Sequence, residues 1–177
     1  AITRFLDVIE ETGAGAHLIQ GLKRDPSDKI WLKIASKTKD PVLIFAVIWR
    51  NSKLSYLDCW LAQWHVPKRF YFLVRTLLSS SLSMMQFLQA DAHTLVQQWS
   101  GMDVWRRPER FEQWCAYAEI MLEATEQDSV SLSLLKQKYL ASCQIDIKAL
   151  QAKGHEGAAL GQAILEARRH QIDSTSQ

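Results

Sequence analysis

Residues 40–49 read DPVLIFAVIW, the longest apolar run in the chain, set directly behind a helix-start signal. An aspartate followed by proline supplies a side-chain acceptor for the first unpaired amides and a residue whose φ already suits the first helical turn. Residues 42–49 are apolar on every side, so the element they form has to be enclosed by others. A strand is the competing reading, because Val and Ile are common here. The segments on both sides carry helical periodicity, which favours a central helix. The run is far short of the roughly 20 residues that span a bilayer, and nothing else in the chain approaches that length.

Similar signals place helices along the rest of the chain. Ile2, Phe5, Leu6 and Ile9 make one apolar face, which Gly13 can close in a left-handed conformation. A short helix is expected from His17 to Lys23. Asp25-Pro26 breaks the chain, and Ser27 or Asp28 caps a helix that buries Ile30, Trp31 and Ile34. Ser55 is expected to cap a helix carrying Leu57, Trp60, Leu61 and Trp64, and Pro67 to open another with Phe70, Leu73, Val74 and Leu77 inside. Residues 79–83, SSSLS, read as a polar connection. Asp91 caps a helix with Leu95, Val96 and Trp99, ended by Ser100-Gly101. Pro108 opens a long helix with Phe111, Cys115, Ala118 and Leu122 on one side. After a hinge at 127–130, a helix carries Leu134, Leu135 and Tyr139. Asp146 caps the next, Gly154 ends it, and a last helix runs from about 157 to 171. The expectation is all-α: an array of short helices, with a helical body over 1–126 and a small helical tail over 127–177.

Residues with catalytic chemistry do not assemble into any familiar pattern. No two of His17, His65, His93, His155 and His170 have the i, i+4 spacing of a helical metal site. GAGAH, 13–17, lacks the Lys-Ser/Thr of a phosphate loop and follows no strand. No D-x-D pair is present to hold two magnesium ions, which metal-assisted phosphoryl or nucleotidyl transfer needs to neutralise developing charge. The reading therefore assigns no catalytic residue and no metal ligand. Cys59, Cys115 and Cys143 form no CxxC and fit buried, reduced thiols in a cytosolic protein. The seven tryptophans are expected to pack in the core rather than to stack on bases.

Net charge is only +2, yet residues 50–75 carry Arg50, Lys53, Lys68, Arg69 and Arg75 against Asp58 alone. A second concentration lies at 102–114, MDVWRRPERFEQW, where Arg106, Arg107 and Arg110 surround Pro108 between Trp105 and Trp114. Cations at a helix start oppose the helix dipole, so either acids nearby pair with them or an anion docks there. Glu109 and Glu112 are the near candidates for pairing.

The 102–114 stretch resembles a segment in bacterial CCA-adding enzymes of the HD-domain type, the class II tRNA nucleotidyltransferases, whose pattern is like D-x-W-R-[RK]-P-x-R-x-E-Q. Asp103, Trp105, Arg106, Arg107, Pro108, Arg110, Glu112 and Gln113 match it. RFLDVIEETGA at 4–14, WHVPKRF at 64–70 and IKALQAKGHEGAALGQAILEARRHQI at 147–172 agree in order with further parts of that family. The resemblance covers most of the chain.

It also carries departures. Where the HD subtype has a His-Asp pair after a run like F-A-x-L-C, FAVIW is followed here by Arg50-Asn51. No histidine lies between Lys23 and Pro41, and the position of the late aspartate falls near Met121. A guanidinium and an amide do not supply the imidazole and carboxylate that hold a divalent metal. The resemblance thus implies a degenerate HD-like body without phosphohydrolase activity. It further implies a C-terminal piece of an enzyme whose catalytic head lies upstream, with Mg2+ and CTP or ATP bound there and no cofactor here. The chain opens on Ala1 rather than Met, in keeping with that expectation. The implied partner is tRNA, in the cytoplasm, gripped by Lys68, Arg69, Arg75, Arg106, Arg107, Arg110, Arg168 and Arg169, because guanidinium forks suit phosphate. An oligomer is compatible with this. The rival reading is a helical protein-interaction or dimerisation module without RNA contact.

Overall fold

The computed structural model describes residues 8, 11–13, 37–80 and 82–175. The helices expected before residue 37 lie outside these, apart from helical Val8 and Glu11 and the left-handed φ of +67° at Gly13. Nine helices have both ends among the described residues, and no strand occurs among them.

Asp40 caps the first of these, α1 (Pro41–Trp49): its Oδ1 accepts from the Val42 amide at 2.8 Å, and Pro41 fills the first turn. The apolar run is a helix, with Val42, Leu43, Ala46, Val47 and Trp49 buried. α2 spans Leu54–Trp64. Ser55 lies inside it rather than capping it, because the Lys53 carbonyl already takes the Tyr56 and Leu57 amides at 3.1 and 3.2 Å. His65, at φ 49°, closes α2 in the left-handed region. α3 spans Lys68–Ser79 behind Pro67, and buries Leu73 and Val74.

The polar stretch expected as mere connection leads into a short helix, α4 (Met84–Leu88). It carries a capping box in which the Gln86 amide donates to Ser83 Oγ and the Ser83 amide donates to the Gln86 side chain. α5 (Ala92–Met102) starts on Asp91, as its sequence implies. It runs past Gly101 and stops at Asp103, whose φ of 57° ends it, a conformation that aspartate tolerates better than most residues. α6 is Pro108–Ala124, with Phe111, Cys115, Ala118 and Leu122 all buried on one stripe. α7 (Val130–Cys143), α8 (Ile147–Ala152) and α9 (Gly157–Ser174) complete the order. Asp146 caps α8 through the Ala149 amide at 3.0 Å. Gly154, at φ +86°, makes the turn out of α8.

The chain forms two compact units, 1–81 with 112–127, and 82–111 with 128–177. The sequence suggests a single division at 126/127; the chain passes between units at 81/82, 111/112 and 127/128. In the first unit α1 and α2 pack on α3. Phe45 meets Trp49, Trp60 and Phe70 with ring centroids 5.7–6.1 Å apart, and Trp49 lies 5.2 Å from Trp60. In the second unit α9 packs on α5, α7 and α8, and α7 on α4. Trp99 is fully buried and stands edge-on to Trp105, Phe111 and Tyr139; Phe111 stacks on Tyr139 at 3.8 Å. That shared aromatic core is what joins 82–111 to 128–177.

Of the tryptophans whose side chains are described, Trp49, Trp99 and Trp114 are buried and Trp60 and Trp105 are half-buried. Core packing accounts for the first three, as expected. The expectation of three buried thiols holds for Cys115 only; Cys59 and Cys143 are exposed. Cys59 sits two residues from buried Leu57, which on a helix is the opposite face.

Candidate nucleic-acid interface

In the second unit the arginines of 102–114 fall into two roles. Asp103, ending α5, turns its carboxylate toward the next helix. Arg106 Nε lies 3.6 Å and Arg107 Nε 3.8 Å from its oxygens. Both arginines remain exposed, Arg106 at 79%. The acid paired with Arg106 and Arg107 at this helix start is therefore Asp103, while the Glu109 charge also acts on Arg110. Exposed pairs of this kind contribute about 0–1 kcal/mol, so a polyanion can compete for these guanidiniums.

Arg110 points the other way. Its Nη1 donates to the Met102 carbonyl at 2.9 Å, where a cation meets the negative end of α5. Burial, and then the Arg107 charge, lower its pKa, but an arginine stays protonated. Of the three, Arg110 is the one committed to backbone.

Arg168, on α9, lies with its Cζ 3.7 Å from the centroid of the Trp105 ring. The ring is itself held: Trp105 Nε1 donates to Ser142 Oγ at 3.0 Å, and Ser142 Oγ donates to the Tyr139 carbonyl at 2.7 Å. Ser142 is completely buried, so these bonds form away from water. Arg168 is half-buried, burial lowers its pKa, and its Nε has no hydrogen-bond partner among the described residues. The next residue, Arg169, pairs with Glu166 and approaches His93 Nδ1 at 3.4 Å.

In the first unit Lys68 and Arg69 open α3, whose first turn holds no acid. Arg69 Cζ lies 4.9 Å from the Phe70 ring centroid. Arg75, seven residues after Lys68 and so on the same face, has Nη1 3.2 Å from Asp58 Oδ1. Arg50, which follows the FAVIW run, is half-buried and donates from Nη1 to the Val47 carbonyl at 2.6 Å. Burial lowers its pKa. Burial also pushes the buried Tyr117 phenol, which lies in its field, up to about 12. Among the described residues no three of His, Cys, Asp and Glu gather where a metal could sit. No described helix is long and apolar enough to cross a membrane.

Sequence reading named the arginines but missed what holds them. Ser142 and Trp105 are 37 residues apart, and no short-range pattern joins them. The capping potential of Asp103 one turn before the arginines was the signal available.

Fold and site together describe an all-helical protein, over its described residues, with two exposed arginines beside a turn carboxylate and a half-buried one on an aromatic ring. Its relatives are specific: nearly the whole chain is related in sequence to bacterial CCA-adding enzymes. It is 24% identical over 171 residues to a CCA-adding enzyme of Coxiella burnetii, covering 96% of this chain and 45% of that protein. A multifunctional CCA protein of Alcanivorax borkumensis is 34% identical over 94 residues, 51% of this chain and 23% of that one. One from Pseudomonas aeruginosa is 29% identical over 110 residues, 60% of this chain and 27% of its own length. The chain thus spans less than half the length of these curated relatives. No family model matches it. No solved structure matches it either.

Proposed function

We propose that this chain is the tRNA-gripping, C-terminal portion of a cytoplasmic tRNA nucleotidyltransferase of the CCA-adding kind. The nucleotide-adding head, with its Mg2+ and CTP or ATP, lies outside these 177 residues. One observation carries the reading: the relation to a CCA-adding enzyme runs through 171 residues in order, including the arginine-rich stretch. The geometry supports it, because Arg106 and Arg107 are exposed and Arg168 is set on a fixed ring beside them in the same unit. A folded RNA helix is recognised through shape and phosphate more than through base edges, which suits guanidiniums presented from helices. The loss of imidazole and carboxylate at Arg50-Asn51 fits a body that keeps the HD-like helices as packing alone.

The test is filter binding of a tRNA transcript across a salt series. Arg106→Ala with Arg107→Ala is expected to weaken binding and to flatten the plot of log affinity against log salt by about 1.5, two phosphate contacts' worth. An unchanged slope removes both arginines from the phosphate contacts.

Exposed apolar side chains favour a second reading, a protein-interaction module. Val130 (66% exposed) and Leu140 (60%) on α7 stand in solvent, with Leu134 and Ile147 partly so. Under that reading light scattering gives a dimer and tRNA is not retained on the filter.

A further inference from the structure

A groove of about 440 Å³ opens within the second unit between α5 and α9; of the cations named above only Arg169 reaches it, and there it is paired with Glu166. Its volume lies in the range of clefts that hold small organic groups, roughly 300–1,000 Å³. Val96 and Leu165 give it apolar surface. Gln97 and Ser100 on α5 and Gln162 on α9 line it with uncharged donors and acceptors. No hydrogen bond from another described residue engages these three side chains. One position is left open altogether: a Cβ at Gly101 would meet no atom within 4 Å. His93 and the Glu166–Arg169 pair complete the lining, so its formal charge cancels and bulk attraction of an anion does not explain it.

An apolar surface flanked by two amides and a hydroxyl matches a flat heteroaromatic ring with a hydrogen-bonding edge. Glutamine side chains can pair with base edges through donor and acceptor together. Unpaired bases in RNA are the ones available for such contacts. Continuity with the arginines is direct, because Arg169 lines the groove and Arg168, its neighbour in sequence, lies over Trp105.

We infer that this groove is a pocket for one unpaired nucleobase of the bound RNA, read by Gln97 and Gln162. The inference rests on the tRNA-binding reading and adds a base contact to a phosphate-tracking surface.

Gly101 makes a clean test possible. It is helical, its φ is not in the left-handed region, and a Cβ there meets no atom within 4 Å, so Gly101→Leu is expected to be tolerated and to occupy part of the groove that it lines. Gly161, on α9 outside the groove lining and equally unobstructed, serves as the control as Gly161→Leu. The full 177-residue chain and both variants are titrated with a tRNA transcript and with a blunt, fully paired RNA duplex at several salt concentrations. Loss of one stacked or hydrogen-bonded base is expected to cost about tenfold in affinity for the transcript. The loss should be the same at every salt concentration, because no phosphate contact is removed. Gly101→Leu should leave duplex affinity unchanged, and Gly161→Leu should bind both RNAs like the unaltered chain.

Equal transcript binding by Gly101→Leu and the unaltered chain overturns the pocket while leaving the tRNA reading intact. An equal loss on transcript and duplex overturns base selectivity. Failure of the unaltered chain to bind tRNA at all overturns both readings. Should Gly101→Leu fail to fold, the double variant Gln97→Ala with Gln162→Ala reads the same tenfold loss.

Discussion

Ser142 shows how much one small buried residue can decide. Its hydroxyl accepts the Trp105 N–H and donates to the Tyr139 carbonyl, satisfying both of its roles inside the core. That fixes the indole plane, and the plane is what Arg168 rests on. Such a guanidinium–indole contact is worth about 0.5–2 kcal/mol, with the larger values where water is excluded. Tyr117 makes a different residue-scale statement. Its phenol is buried and its pKa is pushed up to about 12, against an ordinary value of 10.0, chiefly by burial. A raised pKa means the folded state keeps the proton that the unfolded chain releases. The associated stability is therefore whole below about pH 10 and is lost between about 10 and 12. Two pKa units correspond to about 3 kcal/mol. Urea denaturation at pH 9 and at pH 11.5 should show about 2 kcal/mol of that fall in the unaltered chain and a smaller one in Tyr117→Phe. Equal falls in the two would mean that Tyr117 is not the titrating group.

At the level of elements, aspartate-capped helix starts were the most legible features. Asp40, Asp91 and Asp146 cap where their sequences say, because a cap is a local bond between a carboxylate and an amide two or three residues on. The Thr94 amide donating to Asp91 Oδ1 at 2.8 Å also lowers the Asp91 pKa. Replacing Asp91 by Ala should cost about 1 kcal/mol, while Asn should keep most of the cap. The Asp91 contribution is present above the ordinary carboxylate range and fades as pH falls through the lowered value, so thermal midpoints of the unaltered chain and Asp91→Ala should converge in acid. Midpoints that stay apart in acid would assign the difference to something other than the charged cap. The end of α5 was misread because Ser100-Gly101 carries the composition of a stop. The real stop is Asp103, which tolerates the left-handed conformation and at the same time draws two arginines. α4 was overlooked although Ser83 and Gln86 have capping-box spacing, since five residues are too few for a periodic pattern.

For the whole molecule, the candidate cations fall in both units: Lys68, Arg69 and Arg75 in the first, Arg106, Arg107, Arg168 and Arg169 in the second. If both hold one polyanion, Lys68→Ala with Arg69→Ala and Arg106→Ala with Arg107→Ala should flatten the salt dependence of tRNA binding additively, each by about 1.5. A slope that responds only to the second pair would confine the contact to one unit. Sequence by itself determined the helical character of the described residues, the Asp40, Asp91 and Asp146 caps, the all-round apolar α1 and the apolar stripe of α6, because these depend on bonds and periodicities within a few turns. It also carried the relation to CCA-adding enzymes, through the arginine motif. Tertiary structure alone decided that 82–111 shares a core with 128–177, that Arg110 bonds backbone while Arg106 stays in solvent, and that Trp105 meets both Ser142 and Arg168. Those outcomes turn on which distant surfaces meet in three dimensions, and a side chain commits its hydrogen bonds and its charge only after that packing is set.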